Sequence, residues 1–152
     1  MKRDKDYTIL APEMSPIHFP IIEAAVQREG YHIEIIPPIH EDIDKGLSCV
    51  NNDACYPAII TIGSLMRALT SGKYDLSKTA VMLSQTGGMC RASNYVGFLH
   101  KALDEAGLSD IPVISLNTHG FEPQPGFHFS LSMGRRMIQA VIYGDALQQC
   151  LY

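Results

Sequence analysis

Residues Thr79 to Gln85 read TAVMLSQ, an apolar run with no polar interruption before Ser84. A strand with one face in water alternates polar and apolar side chains, and one covered on both faces does not. The stretch therefore reads as a strand at the centre of a parallel sheet. On its C-terminal side, Tyr95, Phe98, Leu99, Ala102, Leu103 and Ala106 form a single helical stripe that stops at Gly107. On its N-terminal side, Pro57 suits the first turn of a helix whose buried stripe is Ile62, Leu65, Met66 and Leu69, with Gly72 as its end. Helix, buried strand, helix is the pattern of a βα crossover.

The remaining segments extend the alternation in both directions. DYTILAP (6–12) reads as a first strand, and FPIIEAAVQREG (19–30) as its helix, closed by Gly30. YHIEIIPP (31–38) reads as a second strand. Ile33 and Ile35 alternate there with His32 and Glu34, which leaves one face polar and places the strand at a sheet edge. A long loop is expected between it and the helix at Pro57. IPVISLN (111–117) is a fourth strand, the turn-rich THGFEPQPGF (118–127) a loop, and the chain from Ser130 onward a last helix. The prediction is a three-layer α/β/α sandwich, Rossmann- and flavodoxin-like, with four parallel strands in the order 2-1-3-4. One domain over residues 1–152 is expected. The last helix has no stop signal and no following strand, as in a fragment of a longer protein.

Composition narrows the function classes. The 152 residues are 46% hydrophobic and 18% charged, with a formal net charge of -4 and no basic run, which argues against nucleic acid as a partner. No apolar run is long enough to span a membrane, and the N-terminus has positive charge without the apolar region of a signal peptide. A soluble, cytoplasmic protein is expected. In that reducing compartment the four cysteines are expected to serve as thiols, metal ligands or redox groups rather than as a disulfide framework.

Two of the four stand out. Cys55 in NNDACYPA (51–58) and Cys90 in TGGMCRAS (86–93) each occupy a turn in front of a helix. In a sheet of this kind the strand-to-helix loops share the C-terminal edge, where ligands bind. Unpaired N–H groups at a helix start favour a thiolate or an anionic cluster nearby. Gly87 and Gly88 let the backbone approach a bound group, and Asn51 and Asn52 add amide donors to a tight turn. Either cysteine alone is as readily a packing residue. Their spacing fits no zinc finger, no C-x-x-C pair and no ferredoxin run.

Other candidates are weaker. TGGMCRAS has the glycines of a phosphate loop without its lysine, so a flavin or phosphate ligand without metal stands as the alternative. Arg91 would pair with an anion there or lie in solvent. Cys49 and Cys150 read as incidental; two aspartates shortly before Cys49 disfavour a thiolate, whereas Cys55 precedes Pro57 and a helix start. None of His18, His32, His40, His100, His119 and His128 has metal-ligand spacing. His18 and Glu13 follow strand one, where they can serve as outer groups of a site at that rim. Met82, Met133 and Met137 read as core.

NNDACYPAI, QTGGMCRASNY and PVISLN, in this order and at these separations, resemble the 2-hydroxyacyl-CoA dehydratase and benzoyl-CoA reductase superfamily of iron-sulfur proteins. The branch that is most similar joins an ATPase activator, the activase, to dehydratase-like domains. The resemblance runs from ILAPE to YGDAL. It implies a domain that helps hold a cubane iron-sulfur cluster and passes electrons at low potential, with Cys55 and Cys90 as ligands. Asn52, Gly87, Gly88 and Arg91 would belong to the surrounding motif. Family clusters draw on three cysteines per subunit, and the third ligand is expected beyond Tyr152. The activator's phosphate motifs are missing, so neither ATP hydrolysis nor other catalysis is expected of this chain alone. The implied partners are other domains of the same polypeptide, a dehydratase or reductase, or a second copy of the chain. The cluster is expected to be absent after purification in air. A docking domain that keeps the fold and has lost the cluster is a further alternative.

Overall fold

A computed structural model describes residues 6–51, 53–85, 90–117 and 127–151. The elements in chain order are β1 (Thr8–Pro12), α1 (His18–Gln27), β2 (His32–Ile36), α2 (Glu41–Cys49), α3 (Tyr56–Thr70), β3 (Thr79–Gln85), α4 (Tyr95–Glu105), β4 (Val113–Asn117) and α5 (Leu131–Leu151). Short 3-10 turns at Leu76–Lys78 and Arg91–Asn94 lead into β3 and α4. The strands are parallel and ordered β2-β1-β3-β4, the predicted order.

Alternation along each strand sorts its side chains into two layers. Leu10 of β1, Ile36 of β2 and Val81 and Leu83 of β3 pack with the stripes of α3 and α4, including Ile62, Leu65, Leu69, Leu99 and Leu103. Ile9, Ala11, Ile33, Ala80, Met82 and Ile114 face the other way and pack with Val26 of α1 and Met133 of α5. Every residue from Thr79 to Leu83 is buried, as two-sided cover requires. β2 is an edge strand, and its Glu34 carboxylate accepts from the Lys73 ammonium and the Tyr74 hydroxyl at the outer border of the sheet. α3 and α4 end at Gly72 and Gly107, whose φ of 74° and 70° is the left-handed conformation that glycine adopts without strain.

The loop expected between β2 and the helix at Pro57 contains α2 instead, so Cys49 closes a helix rather than lying in a loop. Helical period misses α2 because a broad apolar stripe is not what docks it. Gly46 and Gly63 let α2 and α3 touch backbone to backbone: a Cβ on Gly46 would strike the Ile59 carbonyl, and one on Gly63 the Asp42 carbonyl. The fully buried Asp42 carboxylate accepts from the Ile39 N–H at 2.8 Å and from the Arg67 guanidinium of α3. A buried charge is tolerated when it is paired and hydrogen-bonded in this way.

α5 lies along α1. The His18 ring bonds Ser15 Oγ through Nδ1 and Asp145 Oδ1 through Nε2, each at 2.9 Å. Glu29 accepts from Ser130 and Ser132 and pairs with Arg136. No helix among the described residues is long and apolar enough to cross a membrane.

Candidate functional site

Cys55 and Cys90 occupy equivalent backbone positions. Cys55 immediately precedes α3 in extended conformation, φ -68° and ψ 150°, and its carbonyl accepts from the N–H groups of Ala58 and Ile59 at 2.9 and 3.2 Å. Cys90 immediately precedes the 3-10 turn that leads into α4, with φ -79° and ψ 144°, and its carbonyl accepts from the Ser93 N–H at 3.1 Å. At such a position a serine or aspartate would spend its side chain on the helix's own N–H groups. Neither cysteine side chain makes that bond.

The two turns meet around one tyrosine. Tyr95, the first residue of α4, is 7% exposed, and its hydroxyl lies 3.3 Å from Cys55 Sγ. Burial pushes the phenol well above the usual tyrosine range, helped by the Cys55 hydrogen bond and, less, by electrostatic interaction with Cys55 and Cys90. The Cys55 sulfur thus meets the first side chain of α4 at the edge of the sheet where β3 ends. The phenol keeps its proton, so it can donate to a Cys55 thiolate. Cys55 is half-buried and Cys90 exposed, which leaves the pair open to solvent on one side.

Cys49 packs partly buried against the α3–α4 core, with its sulfur 3.6 Å from Ser48 Oγ. Cys150 is exposed near the end of α5. Asn52, Gly87, Gly88 and His119 lie outside the described residues, and of Arg91 only the backbone is described, within the 3-10 turn. His18 is committed to the α1–α5 contact on the opposite face of the sheet, and the Glu13 N–H donates to the Ile36 carbonyl. Met82 and Met133 are core residues, and Met137 packs partly buried against the same cluster. Among the described residues no three His, Cys, Asp or Glu side chains come together as metal ligands, so those residues bring two thiols to the site and no third ligand.

Tyr95 was legible only as the first apolar residue of a helical stripe. The signal for more was its hydroxyl, the one polar group at the end of that stripe next to the cysteine turn. Compared with known protein families, curated proteins and solved structures, the chain matches none.

Proposed function

We propose that this domain supplies Cys55 and Cys90 as thiolate ligands to an iron-sulfur cluster completed by ligands from outside the described residues. The observation that carries the reading is the matching placement of the two cysteines, one immediately before α3 and one immediately before the turn into α4, with Cys55 Sγ 3.3 Å from the hydroxyl of Tyr95 at the start of α4. Soft thiolates on a half-open rim suit iron-sulfur ligation in donor type, and two of them amount to half of a four-cysteine set. The site is accordingly shared, with another segment, domain or subunit providing the rest.

When bound, a cubane cluster supplies one-electron transfer at low potential. The chain's own residues have simpler tasks. Cys55 and Cys90 hold iron from two turns fixed by α3 and by the start of α4. Tyr95 donates to the Cys55 sulfur, which orients the ligand and withdraws charge from it, and hydrogen bonds to ligand sulfur are one of the levers on a cluster's potential. On this reading the domain serves a reductive reaction of the 2-hydroxyacyl-CoA dehydratase type in the cytoplasm, where thiols stay reduced, and performs no catalysis alone. An open thiolate pair is sensitive to oxygen, so the cluster is lost in air.

The test is anaerobic reconstitution with ferrous iron and sulfide, with excess 2-mercaptoethanol to fill open iron positions, beside a parallel titration with flavin mononucleotide. Iron and sulfide that co-elute with the protein, with broad visible absorption, support the proposal. Saturable flavin binding without iron retention would replace it by a metal-free flavin domain, and retention of neither would leave a docking domain.

A further inference from the structure

On the face of the sheet opposite the thiols, a cavity of about 210 Å³ lies between the sheet, α1 and α5. Its floor is the C-terminal ends of β1 and β3, at Ala11, Pro12 and Ser84. In the order β2-β1-β3-β4 the chain runs outward from β1 to β2 and then returns across β1 to β3, so β1 and β3 flank the topological switch point. Open α/β sheets bind ligands at that point.

The walls say what would bind. Phe19, Phe127, Phe129, Met14, Met82 and Met137 supply them, and Ser84 is the one polar side chain in the lining. The Ser84 hydroxyl is directed to Met14 Sδ at 3.6 Å. Met14, Phe129 and Ser84 are exposed, so the cavity opens to solvent on one side, and its apolar walls offer a charged guest no partner. A dry apolar cavity of about 150 Å³ is large enough for benzene. Flexible methionine side chains adjust to a guest's outline.

We infer that this cavity binds a neutral, ring-sized apolar group, a single aromatic or alicyclic ring. The ring lies against Met82 on the sheet, between Phe127 and the methionines of the β1–α1 loop and α5. The site is independent of the thiolate pair, since Met82 and Leu83 project to opposite faces of β3.

Toluene is the probe, followed through the ¹³C-labelled methionine methyl groups of the intact chain. The Met14, Met82 and Met137 methyl resonances should shift saturably, while Met66, buried in the opposite core, stays in place. The melting temperature should rise by about 3–5 °C at roughly ten times the dissociation constant. Ile22→Phe, which fills the cavity from the partly buried face of α1, should weaken toluene binding at least about tenfold, in line with the loss of a well-fitted apolar site. Absence of methyl shifts, equal shifts at Met66, or unchanged binding in a folded Ile22→Phe protein would overturn the inference. If Ile22→Phe does not fold, the methionine pattern of the unsubstituted protein decides alone.

Discussion

Cys55 Sγ and the Tyr95 hydroxyl, 3.3 Å apart, join the start of α3 to the start of α4 at the rim where β3 ends. The contact ties a nucleophilic sulfur to a phenol held in its protonated form by burial. A hydrogen bond to a charged acceptor is stronger than one between neutral groups, so the phenol favours the thiolate form of Cys55 over the thiol.

Tyr95→Phe keeps the ring and removes the donor. The Cys55 thiolate then loses a hydrogen bond worth about 1–2 kcal/mol, and alkylation of Cys55 by iodoacetamide at neutral pH should slow by about five- to thirtyfold. Peptide mass spectrometry resolves Cys55 from the other thiols. An unchanged or faster rate at Cys55 would show that the phenol does not support the thiolate.

The same phenol predicts a pH effect. Its folded-state pKa is raised, so the folded protein holds this proton more tightly than the unfolded chain does. The resulting stability is fully present below the unfolded tyrosine value near ~10 and is lost as pH rises through the folded value. Urea unfolding between about pH 9 and pH 11 should show stability falling more steeply in the unsubstituted protein than in Tyr95→Phe. Equal slopes would contradict a buried, proton-retaining Tyr95.

Gly63→Ala tests the docking of α2 on α3. Intrinsic helix propensity favours alanine by up to about 1 kcal/mol. The new methyl would meet the Asp42 carbonyl, and backbone cannot move aside as a flexible side chain can. A net loss of about 1–3 kcal/mol is expected, the usual cost of overpacking, read as a lower urea midpoint. A neutral or stabilised variant would mean that α2 does not approach α3 at contact distance.

Much of the fold was legible because local period carries it. Thr79 to Leu83 are buried on both faces, and Ile62, Leu65, Met66 and Leu69 are all buried along α3. The edge position of β2 was readable from His32 and Glu34. α2 was hidden because its anchor is a pair of glycines and the Asp42–Arg67 ion pair, contacts whose partners lie far apart in sequence. In the site, the helix-start positions of Cys55 and Cys90 could be read from Pro57 and the following stripes. The contact of Cys55 with Tyr95 could not, since it depends on how α3 and α4 pack together.

The most direct measurement of the central claim is cluster absorbance, with iron and sulfide content, after anaerobic reconstitution of single-cysteine variants. Removing a thiolate ligand strips an iron of its protein donor, whereas a change away from the ligands alters local packing only. Cys55→Ala and Cys90→Ala should each lose most of the absorbance, and Cys49→Ala and Cys150→Ala should keep it. Retention of a full cluster by Cys55→Ala or Cys90→Ala, or its loss from Cys49→Ala to the same degree, would contradict the assignment of Cys55 and Cys90 as the domain's ligand pair.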